Sequence, residues 1–137
     1  MTDNEDRQAR FDRGMAVLNE VSGGQGQAVI DSLSDISPEL GYQAVAWGFG
    51  EIYGRPQLVP RDRQLVTIAM LTALGGCEAQ LRVHVHNSLN VGLTAAEIVE
   101  AMLQAAGYCG FPRALNATAV AKEVFAARGL LPVDPGE

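Results

Sequence analysis

Residues Gly75–Gly92, GGCEAQLRVHVHNSLNVG, read as a helix bounded by glycines that carries both histidines of the chain and one of its two cysteines. Gly75 and Gly76 stand where a preceding helix would close. Gly92 stands where a left-handed glycine would end this one. At about 100° per residue, Cys77, Leu81, His84, Val85, Ser88 and Val91 share one face. His86 points roughly opposite His84, beside Arg82 and Asn90. The two histidines are therefore not a pair: His84 looks into the protein, and His86 looks at water or a neighbouring subunit. His84, one turn from Gln80 and two from Cys77, is the first candidate for chemistry.

Working outward, every flanking segment also reads as helix. Upstream, RDRQLVTIAMLTAL after Pro60 is apolar nearly all round in its second half, as a central helix would be. Before it, Ser37-Pro38-Glu39 is a helix start: a capping serine, proline at the first helical position and an acid in the first turn. That helix runs to about Tyr53, and Ala44, Trp47, Gly48, Glu51 and Ile52 share a face, which places Glu51 among apolar and small residues. Gly48 and Gly50 each cost roughly 1 kcal/mol against alanine inside a helix, so another backbone or a ligand is expected close by. Asp3–Val21 and Gln27–Ile36 are read as the first two helices, broken by SGGQG. Downstream, Thr94 and Glu97 have capping-box spacing and open a sixth helix to about Gly107. Its apolar positions leave little polar face, which predicts burial on two sides, in the core and at a subunit contact. Pro112 opens a last helix to near Gly129, and LLPVDPGE is a tail. No segment alternates with period two, so the fold class is all-α, six to seven helices in one domain over 1–137, with its core at about 14–128.

Composition narrows the function. A net charge of −6 disfavours a nucleic-acid partner. No apolar run approaches the ~18 residues of a membrane span, so no membrane partner is expected. The charged start MTDNEDRQARFDR has no signal-peptide core, and the expected location is cytoplasmic. Two cysteines 32 positions apart give neither a disulfide framework nor a zinc site. One inward histidine, one acid and one thiol make a poor metal site, since zinc wants four ligands or three plus water.

Four segments in order, WGFGEIYGRPQL, RDRQLVTIAMLTALGG, QLRVHVHNSLNVGLTAAEI and AAGYCGFPRALNA, resemble the carboxymuconolactone decarboxylase family, which forms one superfamily with the alkylhydroperoxidase D-like proteins. The resemblance covers about Gly14 to Arg128. It implies an alkylhydroperoxidase D-like helical subunit assembled into a homotrimeric or homohexameric ring, with a cofactor-free site between helices near a subunit boundary. In the decarboxylase branch the functional acid corresponds to Glu51 and the histidine to His84. The peroxidase branch has Cys-x-x-Cys-x-x-x-His. Here Cys77 and His84 keep that spacing, but the second cysteine position is Gln80, and the upstream acid position is most nearly Gln64. The adjacent arginines typical of lactone decarboxylases after the Gly14-Met15 position are absent, which implies a different or less anionic substrate.

Each candidate has an ordinary alternative. A lone inward histidine is commonly a core residue bonded to a carbonyl. The family register sets His84 apart, and an imidazole exchanges protons near neutrality. Glu51 beside Trp47 is expected to be enclosed. Cys77, at a helix N-terminus, is either a packing residue or pocket lining. Trp47, Leu81 and Val85 are expected as apolar walls, and Gln80, Tyr108 and Arg55 as further lining or binding positions. Cys109 is read as structural. The function expected is a lyase or isomerase acting on a small lactone or conjugated oxo-acid by general acid/base chemistry. The alternatives are thiol-dependent hydroperoxide reduction through Cys77 and a non-catalytic small-molecule-binding oligomer.

Overall fold

The structure, a computed structural model, describes residues 2–134. Among these residues there are helices and no strands, as the periodicities predict. The chain divides between Val59 and Pro60 into two compact units.

In the first unit, α1 (Asp3–Ser22) begins at a capping box that the sequence reading passed over. Thr2 Oγ1 accepts from the amide of Glu5, and the Glu5 carboxylate accepts from the amide of Thr2. The short α2 (Gln27–Leu33) stops three residues before the expected Ile36. Ser37 caps α3 (Pro38–Gln43) through its hydroxyl, as its Ser-Pro-Glu start predicts. The expected continuation of α3 as an α-helix to Tyr53 is corrected: Ala44–Tyr53 is a π-helix. The amide of Gly54 reaches back five residues to Phe49 O at 3.0 Å, the wider π spacing.

The glycines explain how α1 packs on this π-helix. A Cβ on Gly50 would lie 3.1 Å from Gly14 Cα and 3.2 Å from Gly14 N. Gly14 itself is buried against the Val45 carbonyl. Two glycines on opposing helices thus let the backbones touch, with Leu18, Val21, Val45 and Ala46 buried around them. Gly48, expected to mark the same crowding, is not crowded: a Cβ there would meet only the Gln43 carbonyl oxygen, at an ordinary contact distance of 4.0 Å.

The second unit packs α4 (Pro60–Leu74), α5 (Glu78–Asn90), α6 (Ala95–Cys109) and α7 (Phe111–Ala127) around one core. Ile68 of α4, Leu81 and Val85 of α5, Ile98 and Met102 of α6 and Phe125 of α7 are each 2% exposed or less. Gly75 and Gly76 both adopt left-handed backbone, at φ 67° and 74°, and so end α4 where expected. Arg113 from α7 donates to the exposed carbonyl of Leu74 at that end. Thr94 and Glu97 form the predicted capping box, with bonds of 3.1 and 3.0 Å. The last turn of α6 runs on to Cys109, two residues past the expected end.

Candidate functional site

On α4, Gln64, Ile68 and Thr72 recur every four residues, and all three are buried. Gln64 is completely inaccessible, and its side chain meets α5: Oε1 lies 2.9 Å from Nδ1 of His84. On α5, Leu81, Val85 and Ser88 form the buried face, and His84 sits at its edge, partly buried. The hydroxyl of Ser88 donates to the His84 carbonyl at 2.7 Å. Burial lowers the His84 pKa to about 4, and no charged neighbour is among the causes. The imidazole is therefore neutral at physiological pH, because burial strips solvation from the cationic form.

His86 behaves as its opposite facing predicts. It is less buried, its carbonyl accepts from Arg128 at 3.3 Å, and its pKa is lowered by partial burial and then by Arg128. It shares no hydrogen bond with His84.

Glu51 departs from expectation. It lies on the π-helix of the first unit with its side chain 40% exposed, and Arg10 of α1 donates to its Oε1 at 2.7 Å. The expected apolar enclosure is absent, because the π-helix turns the carboxylate toward α1 rather than onto the apolar stripe that 100° spacing assigns it. Trp47 on the same helix is 56% exposed. Arg10 was not singled out from the sequence. It lies 41 positions from its partner, and no local pattern announces the pair.

The remaining candidates are dispersed. Leu81 is a core residue that also lines a small crevice beside Cys77, and Val85 is buried in the same core. Gln80 is exposed on the first turn of α5, and Arg55 is exposed after the π-helix. Cys77 is the residue before α5; its thiol lies 3.3 Å from the Leu71 carbonyl and lines a small crevice with Thr72, Leu81 and Arg113. The Cys109 thiol lies 2.9 Å from the Ala105 carbonyl, one turn back along α6. Tyr108 and Cys109 line a groove of about 630 Å³ between α4 and α6, with Leu65, Val66 and Ala69 on its apolar wall and Glu97 and Glu100 on the other. Among the described residues, no three His, Cys, Asp or Glu side chains converge as metal ligands, and no helix is long and apolar enough to cross a membrane.

A chain that is helical throughout its described elements, with a histidine seated on a buried amide, is the frame into which the sequence comparisons fit. Residues 38–123 match the carboxymuconolactone decarboxylase family, and the chain belongs to that family. It is 35% identical to 4-carboxymuconolactone decarboxylase of Acinetobacter baylyi over 124 residues, covering 90% of this chain and 92% of that one. It is 32% identical to nitrosuccinic acid decarboxylase of Metarhizium robertsii over 127 residues, covering 89% of this chain and 85% of that one. The resemblance read from the four segments is thereby established.

Proposed function

We infer that this protein is a decarboxylase acting on a small carboxylic acid whose departing carbon dioxide leaves an electron pair that an oxygen can accept. The observation that carries the reading is the partly buried, neutral His84 held by Gln64 at 2.9 Å, in a chain with two relatives named as decarboxylases. The substrates named for those two relatives share this chemistry. A lactone can take the electron pair as an enolate, and a nitro group can take it as a nitronate.

The reaction balances without an external oxidant or reductant. The bond to the carboxylate carbon breaks, its electron pair passes into the conjugated acceptor, and a proton from solvent ends on carbon. His84 relays that proton, and the family register assigns an acid role to Glu51. A neutral imidazole suits this role, because an arriving carboxylate favours its protonated form just where the proton is needed. Dispersal of charge over the acceptor lowers the barrier further where the surroundings exclude water. An isomerisation on the same enolate would use the same groups.

Copies of the chain are proposed to assemble into a homo-oligomer in the cytoplasm. Val66, Met70 and Leu74 recur every four residues along α4 and are 45%, 55% and 68% exposed; Leu103 and Phe111, 61% and 70% exposed, add to the apolar surface of this unit. Apolar surface on this scale marks an interaction face. The test of function is carbon dioxide release from 4-carboxymuconolactone, nitrosuccinate and simple β-oxo acids. Catalysed release from at least one supports the reading. Acceleration of none, by an intact oligomer, would return the protein to the class of non-catalytic binding oligomers.

A further inference from the structure

Gln64 is an unusual occupant of a helical core. Its residue is fully buried on the α4 face shared with Ile68 and Thr72, where leucine or methionine would pack without polar atoms. Its amide nitrogen is buried with no hydrogen-bond partner among the described residues, while its oxygen meets His84 Nδ1 at 2.9 Å. A buried donor left unsatisfied is costly, and packing alone gives no return for it. What the glutamine provides is a directed hydrogen bond to one ring nitrogen.

We propose that Gln64 is a positioning residue that accepts a hydrogen bond from Nδ1–H of His84, so that the imidazole exchanges protons only at Nε2. This deepens the reading of His84 as proton carrier and rests on it. The ring nitrogens are distinct, and the partner of one decides the protonation of the other. With Nδ1–H held by a carbonyl oxygen, the same hydrogen bond persists whether Nε2 is bare or protonated. A proton can then arrive and leave without the ring or the amide rearranging.

The choice of amide over carboxylate matters equally. A glutamate at position 64 would direct the ring in the same way, but its charge would hold the imidazolium. Glutamine directs without charging. Nearby charges on the packed helices are committed elsewhere: Arg61 to Asp62 and Glu97, and Arg82 on α5 itself to Glu123 of α7. Other ionisable groups on these elements are Arg63 of α4, Glu78 and His86 of α5, Glu100, Tyr108 and Cys109 of α6 and Arg113 and Lys122 of α7. Burial, and none of these charges, is the cause of the histidine's low proton affinity.

The chain has two histidines, so His86→Gln leaves His84 as the only imidazole for ¹⁵N NMR of the full-length protein. The expected spectrum at pH 7 shows a protonated Nδ1 and an unprotonated Nε2, with charging only well below neutrality. Adding Gln64→Glu is expected to raise the titration midpoint by about two pH units, with Nδ1 still protonated. Adding Gln64→Leu is expected to abolish the preference for the Nδ1–H form. A protonated Nε2 in the parent at pH 7, an unmoved midpoint with glutamate, or an unchanged tautomer with leucine would each overturn the proposal. Should the leucine protein fail to fold, the parent tautomer and the glutamate titration decide. None of these readouts needs a substrate. Inactivity on every acid would therefore leave the tautomer result standing, and a wrong tautomer would leave decarboxylation standing.

Discussion

Arg10 Nε donates to Glu51 Oε1 at 2.7 Å, joining α1 to the π-helix across 41 positions of sequence. The carboxylate proposed as the partner acid is thus held by a guanidinium whose own pKa is raised, first by that hydrogen bond. Both side chains are partly exposed, at 28% and 40%, so the pair is open to salt screening. Glu51→Gln is expected to abolish turnover with unchanged far-UV circular dichroism. Arg10→Ala is expected to retain reduced turnover, because it frees the carboxylate rather than removing it. Steady-state kinetics on both variants check this, and full activity in Glu51→Gln would remove Glu51 from the mechanism.

His84 also makes stability depend on pH. Its folded-state pKa is about 4 against an ordinary value of 6.5, so between these values the unfolded chain binds more protons. Its stabilising contribution is fully present above about pH 6.5 and is lost as pH falls toward 4. A lowering of this size corresponds to about 3 kcal/mol. Urea unfolding of His86→Gln at pH 7 and pH 4, with and without His84→Gln, isolates the effect. The expected result is a steeper loss of stability toward pH 4 in the protein that retains His84; equal slopes would contradict the burial argument.

The crossing of α1 and the π-helix depends on glycine at both contact points. Gly50→Ala would place a Cβ 3.1 Å from Gly14 Cα, against backbone that cannot rotate away. A destabilisation of about 1–3 kcal/mol is expected from such overpacking. Gly48→Ala, whose Cβ would meet only Gln43 O at 4.0 Å, is expected to be neutral or slightly stabilising. Thermal melts of the two variants should differ in this order, and equal melting would contradict the close crossing.

These two glycines also show how far the sequence could be read. Their helix-interior cost signalled a close approach, and Gly50 makes one. Gly48 does not, because the π-helix rotates successive residues by less than the 100° assumed. Caps were legible wherever side chain and backbone lie within three residues, as at Ser37 and at Thr94 with Glu97. The box at Thr2 and Glu5 had the same signature and was missed in a run of charges. For the candidate site, the inward facing of His84 was legible from its stripe. Gln64 aligned near the family's acid position, but its burial sat in a polar-looking run, RDRQ. The four-residue recurrence of Gln64, Ile68 and Thr72 was the available signal. The Arg10–Glu51 pair had none, since only tertiary packing brings α1 to the π-helix.

Sustained peroxide reduction is not expected. A cysteine that reduces a hydroperoxide becomes a sulfenic acid and needs a second thiol to be resolved. Three residues beyond Cys77 stands Gln80. The other thiol, Cys109, is seated on the Ala105 carbonyl of its own helix at 2.9 Å. Steady-state peroxide consumption with excess dithiol should match a no-enzyme control, and turnover lost in Cys77→Ala would place the chain in the redox branch.

The central claim is that His84, and not His86, carries the proton in a decarboxylation. It is tested most directly by measuring carbon dioxide release from the accepted acid by the parent, His84→Ala and His86→Ala, each verified by circular dichroism and sedimentation. The account predicts a fall of about 10²–10⁴-fold for His84→Ala, the range of a lost general acid–base group, and near-parent rates for His86→Ala. Near-parent turnover in an intact His84→Ala protein, or its loss in His86→Ala alone, would contradict it.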